Sequence, residues 1–313
     1  MFQSESKKDR LSIICLLGPF LGLWIAFWMI PSLVGIDLSL RDAGFESSNE
    51  SALFSFNQTG NSSYIGIGNY LSLLDDRKFW KSLLNSSLYI SGSLLIILPL
   101  SFVLAVCLRD LGRRMQAILL FCLMIPGLAM PSVLSNLFYL FFHGREGVLN
   151  QLLIIPLGFD PIHWMMDPNF ILLSMILQCV WRWTGIVTLY FLCGLSGIPS
   201  WQYEVVKMEG LGTISKFRYL WFPNLGNLFL FAAVFLTVEG LASFSGAYVM
   251  LGGSGGILDS GLLFVTYLYQ VAFPGGSGRF DFPTAAAMSV LVVPLVALVL
   301  FWILRIRRSD SVE

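Results

Sequence analysis

The sequence contains few charged side chains and very little histidine. Of its 313 residues only 12% are charged, two are histidine, and 19 Lys and Arg balance 19 Asp and Glu. A mean hydropathy of +0.75 excludes an ordinary soluble globular protein, and the balanced charge argues against a nucleic-acid-binding protein. The sequence has no G-x-x-x-x-G-K-[ST] segment, so it offers no P-loop that could hold ATP phosphates.

The cysteines provide neither a disulfide framework nor a metal site. All of them fall within predicted membrane spans, and no Cys/His cluster has the spacing of metal ligands. They are Cys15, Cys107, Cys122, Cys179 and Cys193. The sequence therefore predicts no metal and no cofactor in this chain.

Long apolar runs are abundant. Six of them are long enough, at about 1.5 Å per residue, to cross a hydrocarbon core of about 30 Å. They cover about 11–36, 86–108, 116–141, 169–193, 227–250 and 284–304. Pro126, Pro131 and Pro294 fall inside two of these runs, and we expect each to kink its helix without ending it. The predicted fold class is all-α, a polytopic membrane protein with six transmembrane helices in one domain, 1–313.

Basic residues accumulate on one side of the predicted membrane. With six spans the two termini share a side, and that side holds the basic clusters at 7–10, 109–114, 207–218 and 305–308. Lys and Arg resist translocation when loops are short. Both termini are therefore predicted to lie in the cytoplasm, together with the cluster at 207–218.

Residues 198–225, called the elbow below, are too polar to cross a bilayer. Within them Trp201, Val205 and Met208 follow a helical period. The Gly-Leu-Gly segment at 210–212 is expected to end that helix, because glycine readily adopts left-handed backbone angles.

A second short helix is predicted after the glycines. Its apolar face consists of Ile214, Phe217 and Trp221. We expect Ser200 and Thr213 to be the N-caps of the two helices and Pro223 to stop the second. This pattern fits two functions: a segment that lies along the lipid headgroups, or a docking site for a soluble partner.

The elbow sequence "IPSWQYEVVKMEGLGTISKFRYLWFPNL" resembles a cytoplasmic loop of known membrane proteins. These are the inner-membrane permease subunits of binding-protein-dependent ABC importers, whose loop reads I-P-x-x-x-x-E-A-A-x-x-D-G-A followed by F and L-P. The matching positions are Ile198, Pro199, Glu204, Gly210, Phe217 and Pro223. The departures are Val205 and Val206 for the two alanines, Glu209 for the aspartate, Leu211 for the last alanine and Phe222 for the leucine.

Four further segments are similar to the sugar-type, maltose/glycerol-phosphate permease-like members of that family, and they occur in the family's order. They are "YIGIGNYLSLLDDRKFWKSLLNSSLYI", "GVLNQLLIIPLG", "WRWTGIVTLYFLCGLSGIP" and "SFSGAYVMLGGSGG". Gly185 stands where a proline is usual, and Met250 and Ser254 depart from the last pattern.

The resemblance implies a coupling function for the elbow. In that family the loop is a coupling helix that inserts into a cleft on an ATPase subunit. Carried over, the coupling residues are Glu204, Val205, Val206, Glu209, Gly210, Leu211, Phe217 and Pro223. The implied partners are a second permease subunit, an ATPase dimer that holds ATP and Mg, an extracytoplasmic solute-binding protein, a carbohydrate substrate and the lipids of a bacterial inner membrane, with no nucleic acid.

Two ionisable residues, Arg182 and Glu239, lie deep within predicted spans. Each would cost about 2.5–3.5 kcal/mol at a lipid-exposed helix centre, so we expect both to face the bundle interior. They either border a substrate pathway, pair with each other, or, for Arg182, reach toward an interface. As a pathway residue, Arg182 would suit an anionic sugar. The candidate pathway residues are Trp181, Arg182, Trp183, Glu239, Ser243, Phe244, Tyr248, Asn136 and Tyr139.

Two other functions compete with the importer subunit. An ion-coupled secondary transporter would use Arg182 and Glu239 as a relay, but it leaves the elbow unexplained. An intramembrane serine protease would use Ser254 within G-x-S-x-G. Its histidine would have to follow the serine, whereas His143 and His163 precede it.

Overall fold

The structure is a computed structural model that describes residues 16–42, 63–273 and 281–308. These residues form helices joined by loops, and their one β-interaction is an isolated antiparallel bridge between Arg41 and Tyr64. The predicted all-α membrane fold is confirmed. The start of the first predicted span, 11–15, lies outside the described residues.

Within the described ranges, five helices are long and apolar enough to cross a membrane, and a bent helix pair makes a sixth candidate. The five are α1 (Leu16–Ser39), α3 (Arg77–Arg109), α6 (Pro168–Ser196), α8 (Thr213–Leu241) and α11 (Phe282–Arg308). The bent pair is α4 (Arg113–Leu128) and α5 (Pro131–Phe141), which meet at 98°. The shorter helices are α2 (Gly68–Leu74), α7 (Ser200–Met208), α9 (Ser245–Met250) and α10 (Phe264–Ala272).

The third predicted span, 116–141, is broken at Pro131. Pro126 and Pro294 lie inside continuous helices as expected, but the expectation that Pro131 only kinks its helix is wrong. Proline disfavours helical angles in the residue before it, and Met130 accordingly has an extended ψ of 132°. Ala129 is also extended, with ψ 146°, so α4 ends and α5 begins in a new direction.

The fifth predicted span, 227–250, is wrong at both ends. α8 ends at Leu241, and the short helix α9 follows only after a break at 242–244. At this break the Ser243 N–H bonds to the Gly240 carbonyl, a tighter turn than the α-helix allows. The apolar run continues across the break, so hydropathy does not mark it.

The chain consists of two compact units, residues 1–76 with 268–296, and 77–267 with 297–313. In the first unit, the Asn69 amide donates to the carbonyls of Ser39 and Arg41, at 2.8 Å in both cases. The Ser39 and Tyr70 hydroxyls are 2.7 Å apart. These bonds attach α2 to the end of α1.

In the second unit, α3 packs along α6, and both helices contact α8. An aromatic cluster lies where these three helices meet. Its centre is Phe102, whose ring centroid is 5.9 Å from Phe191, 5.3 Å from Phe217, 5.7 Å from Trp221 and 5.4 Å from Phe229. Each such pair contributes about 0.5–1.5 kcal/mol beyond the buried area. The cluster therefore fixes the first turns of α8 to the ends of α3 and α6.

Candidate functional site

The first elbow helix, α7, ends in a Schellman motif. The Gly210 N–H bonds to the Lys207 carbonyl at 3.2 Å and the Leu211 N–H bonds to the Val206 carbonyl at 3.3 Å. Gly210 has a φ of +66°, the left-handed angle that the sequence predicts. The break between the two elbow helices thus depends on a glycine.

The predicted N-caps are wrong. Pro199 is the N-cap of α7 and Gly212 is the N-cap of α8, so Ser200 and Thr213 are the first helical residues. Neither cap makes a side-chain hydrogen bond. The extended ψ angles of Pro199, 141°, and Gly212, 171°, turn the chain into each helix without a side-chain acceptor.

The elbow exposes an apolar stripe, defined as Trp201, Val205, Met208 and Ile214. Met208 and Ile214 are each 87% exposed, and Trp201 is 61% exposed. Val206, on the opposite side of α7, is buried in the core of the second unit. The described helices therefore hold α7 by one face and leave its apolar stripe uncovered.

Tyr203 fastens α7 to two membrane helices. The Arg109 guanidinium carbon lies 3.7 Å from the centre of the Tyr203 ring, and the Tyr203 hydroxyl donates to the Leu195 carbonyl at 3.3 Å. Burial raises the pKa of the Tyr203 phenol, against an opposing effect of Arg109. The phenol stays protonated at neutral pH and keeps this hydrogen bond.

The second elbow helix continues into the membrane. Pro223 does not stop it, contrary to prediction: a π-helical turn, Phe217–Trp221, ends two residues before the proline, and the helix continues through it. In this turn the Phe222 N–H bonds to the Phe217 carbonyl. The wider spacing relieves the clash between a proline ring and the preceding turn. The second elbow helix and the membrane helix are therefore one continuous helix, α8.

A cavity of about 160 Å³ lies within the second unit, at both helix breaks. One break separates α4 from α5 at Pro131, and the other separates α8 from α9 at 242–244. The lining residues are Tyr89, Pro131, Gln178, Cys179, Arg182, Trp183, Leu236, Glu239, Gly240, Ala242, Ser243, Phe244, Ser245 and Gly246. Irregular backbone at membrane depth is tolerated where it lines a cavity, and transporter sites are often built at such breaks.

The two intramembrane charges both line this cavity and remain unpaired. No ion pair of 4.0 Å or shorter joins Arg182 to Glu239 in the part of the chain that the structure describes. The Arg182 Nε is buried without a hydrogen-bond partner, and the guanidinium carbon lies 5.0 Å from the Trp183 ring centre. The structure thus provides no support for a structural Arg182–Glu239 pair.

Uncharged polar groups form the rest of the polar lining. Gln178 donates through Nε2 to the Ser135 hydroxyl at 2.9 Å, and the Tyr89 and Ser243 hydroxyls are 3.4 Å apart. A Cβ added at Gly246 would lie 3.3 Å from the Gln178 Oε1 and 3.8 Å from the Ser243 Oγ. The glycine therefore leaves these acceptors open to the cavity.

The profile of one protein family, the binding-protein-dependent transport system inner membrane component, matches residues 97–309. This chain belongs to that family. The permease is 30% identical over 238 residues to the arabinooligosaccharides transport system permease protein of Bacillus subtilis (strain 168), covering 76% of this chain and 74% of that protein. It is 29% identical over 240 residues to the lactose transport system permease protein of Rhizobium radiobacter, covering 76% and 79%.

Two solved structures share the permease's fold. One is a chain of a bacterial alginate ABC transporter in complex with alginate pentasaccharide-bound periplasmic protein, with a TM-score of 0.77 and 16% identity over 99% of this chain and 98% of that one. The other is a chain of a bacterial ABC transporter involved in the import of the acidic polysaccharide alginate, with a TM-score of 0.78 and 16% identity over 97% of both chains. At this identity the likeness concerns the fold alone.

The permease's cavity contains part of the predicted substrate pathway. Arg182, Trp183, Glu239, Ser243 and Phe244 line it. The other four predicted residues do not. These are Trp181, Tyr248, Asn136 and Tyr139.

These four residues lie elsewhere. Trp181 and Trp183 are two residues apart on α6 and point about 200° from each other, and Trp181 instead packs on Phe138 with ring centres 5.3 Å apart. The Tyr248 ring packs against Phe244 in a tilted arrangement, with ring centres 4.9 Å apart. On α5, Asn136 donates to the Ser132 carbonyl, and Tyr139 is 46% exposed.

Sequence reasoning missed Tyr89, Gln178, Cys179 and Gly246. Gln178 precedes Arg182 by four residues on α6, so helical spacing around Arg182 could have found it. No local signal marks Tyr89, which comes from α3. The protease alternative gains no support, because the Ser254 hydroxyl donates to the Leu251 carbonyl at 2.7 Å.

Proposed function

We propose that this chain is one of two permease subunits of an ATP-driven importer that carries a carbohydrate or carbohydrate derivative across a bacterial inner membrane. Relatives named for transport of arabinooligosaccharides, lactose and trehalose/maltose support this substrate class. The chain spans about three quarters or more of the length of these relatives, so the likeness extends over most of each protein.

The elbow is the observation that carries the proposal. Its uncovered stripe, with Met208 and Ile214 each 87% exposed, is apolar enough to dock a soluble protein. We infer that the occupant is an ATPase dimer that holds ATP and Mg, with the elbow and both termini in the cytoplasm. An extracytoplasmic binding protein would deliver the sugar to the opposite face.

The attachments of the elbow indicate how movement reaches the cavity. Tyr203 contacts Arg109 at the end of α3, and the second elbow helix is continuous with α8. The same two helices supply cavity residues, Tyr89 from α3 and Glu239 from α8. A rigid-body movement of the ATPases would therefore shift two cavity walls and alternate access to the substrate.

An ion-coupled secondary transporter fits less well. Arg182 and Glu239 could serve either mechanism, since both line the cavity unpaired. The elbow, with its glycine break and exposed stripe, has no role in a transporter that works without an ATPase.

Co-purification with the co-produced neighbouring proteins tests the proposal. An ATPase should co-purify with the wild-type chain and be lost from Met208→Ser, which places a polar side chain in the stripe. The matched control is Leu152→Ser, because Leu152 is 73% exposed in an outer segment. If no ATPase is recovered with any variant or with wild type, the importer proposal is wrong and the ion-coupled transporter takes its place.

A further inference from the structure

We propose that the cavity is a charge filter: Arg182 and Glu239 together select an uncharged sugar ring and exclude both acidic and amino sugars. This inference rests on the proposed sugar-import function and adds the charge class of the substrate. It also names the two specificity-determining residues. In the sequence, Arg182 as a pathway residue suits an anionic sugar, and the presence of Glu239 in the same cavity changes that expectation.

The two opposite charges share a cavity without forming a direct ion pair. Arg182 and Glu239 both line it, and in the described residues no ion pair within 4.0 Å connects them. The Arg182 Nε has no partner although it is buried. Buried charged groups are normally hydrogen-bonded or paired. A ligand cannot reach the buried Nε, so the groups it can meet are the rest of the Arg182 guanidinium and the Glu239 carboxylate, which both line the cavity.

A hydroxyl is the ligand group that can bond to both Arg182 and Glu239. An arginine only donates hydrogen bonds and an ionised carboxylate only accepts them. A hydroxyl does both, so neighbouring hydroxyls of one sugar can accept from Arg182 and donate to Glu239. A carboxylate on the ligand would satisfy Arg182 but meet the like charge of Glu239, and an ammonium group would meet the like charge of Arg182.

The remaining walls suit an uncharged ring. The polar lining from Tyr89, Gln178 and Ser243 consists of hydroxyls and an amide, which donate and accept without adding charge. Trp183 contributes an aromatic side chain to the lining, against which the C–H face of a sugar can pack. The cavity volume of about 160 Å³ leaves room for a small ligand portion such as one ring.

Cys179 provides a direct readout because it lines the cavity. In the assembled complex, Cys15, Cys107, Cys122 and Cys193 are replaced by alanine, which leaves Cys179 as the permease's sole thiol. A small methanethiosulfonate reagent converts this thiol into a mixed disulfide and releases methanesulfinate, and the rate of this modification is measured with increasing sugar. The probes are three matched sets, each a hexose, its uronate and its 2-amino sugar, in the gluco, galacto and manno series.

The inference predicts that at least one hexose protects Cys179, with its uronate and amino sugar at least about tenfold weaker. Glu239→Gln should bring the uronate to within about threefold of the hexose and leave the amino sugar weak, and Arg182→Gln should do the reverse. The control is Glu146→Gln, which removes an exposed carboxylate outside the cavity and should change nothing. An unchanged rate of Cys179 modification in each variant without sugar shows that the cavity is intact.

Three outcomes would overturn the inference: a charged sugar that protects wild type as well as its hexose, charge preferences that the two cavity variants leave unchanged, or no protection by any hexose. All three are read from modification of Cys179 and not from ATP hydrolysis or ATPase recovery. Loss of the importer proposal is recognised separately, because it requires that no ATPase co-purifies with the same wild-type preparation.

Discussion

The contact between Tyr203 and Arg109 should determine how tightly ATP hydrolysis is coupled to sugar import. The perturbations are Tyr203→Leu, which removes both the ring and the hydroxyl, and Tyr203→Phe, which removes the hydroxyl alone. Neither changes the exposed stripe of the elbow, so the ATPase should still dock. The expected defect is therefore in transmission and not in assembly.

The magnitudes follow from the two contacts of Tyr203. Its hydrogen bond to the Leu195 carbonyl is worth about 0.5–1.5 kcal/mol. The Arg109 guanidinium over its ring is worth about 0.5–2 kcal/mol at this partly buried site. Tyr203→Phe should lose only the first contribution, and Tyr203→Leu should lose both, about 1–3.5 kcal/mol.

The assay is the number of sugars imported per ATP hydrolysed by the complex in liposomes. We expect this ratio to fall slightly for Tyr203→Phe and severalfold for Tyr203→Leu. Arg109→Gln should lower it too, and the double variant with Tyr203→Leu should be little worse than Tyr203→Leu alone, because both changes remove the same contact. A normal ratio in Tyr203→Leu, or effects that simply add, would refute the reasoning.

Glycine substitutions provide three further predictions. Gly210→Val places a β-branched residue at a φ of +66°, which costs at least about 1–2 kcal/mol of backbone strain. The complex should still assemble but hydrolyse ATP without importing sugar. Normal uptake would count against a coupling role for the elbow. Gly246→Val should reduce sugar uptake and leave ATPase co-purification intact, since its Cβ would already lie 3.3 Å from a cavity acceptor; an unchanged KM for import would contradict this. Gly185→Ala should lower the yield of folded permease severalfold, because its Cβ would overlap the Leu123 carbonyl. The control Gly22→Ala should not, because no atom lies within 4 Å of its Cβ. Equal yields would show that the close approach of α4 and α6 is dispensable.

The elbow was predictable because its features are local. The left-handed angle of Gly210 and the stripe of Trp201, Val205 and Met208 follow from neighbouring residues. The N-caps at Ser200 and Thr213 failed because the extended backbone of the preceding residue starts each helix.

The helix breaks were harder to predict because apolar residues continue through them. Pro131 and Pro126 have the same local context of apolar neighbours, yet only Pro131 ends a helix. The hydropathy pattern likewise does not mark the break before α9. That break places Ser243 and Phe244 in the cavity.

The cavity needed the packing of several helices. Arg182 and Glu239 were predictable as interior residues because charge is costly in lipid. Which of Trp181 and Trp183 joins them depends on the rotation of α6, and Tyr89 enters only because α3 packs along α6. The sequence contains no local signal for the rotation of α6 or for the packing of α3 along it.

Crosslinking from the elbow tests the central claim most directly. A photoreactive amino acid is placed at Met208 in native membranes, and the same residue at Leu152 serves as the control. The account predicts that Met208 crosslinks to an ATPase subunit in good yield, in a product that sugar and ATP alter, and that Leu152 does not. Crosslinks from Met208 to lipid alone would contradict the account, because the stripe would then rest on the membrane surface and the chain would have no ATPase to drive it.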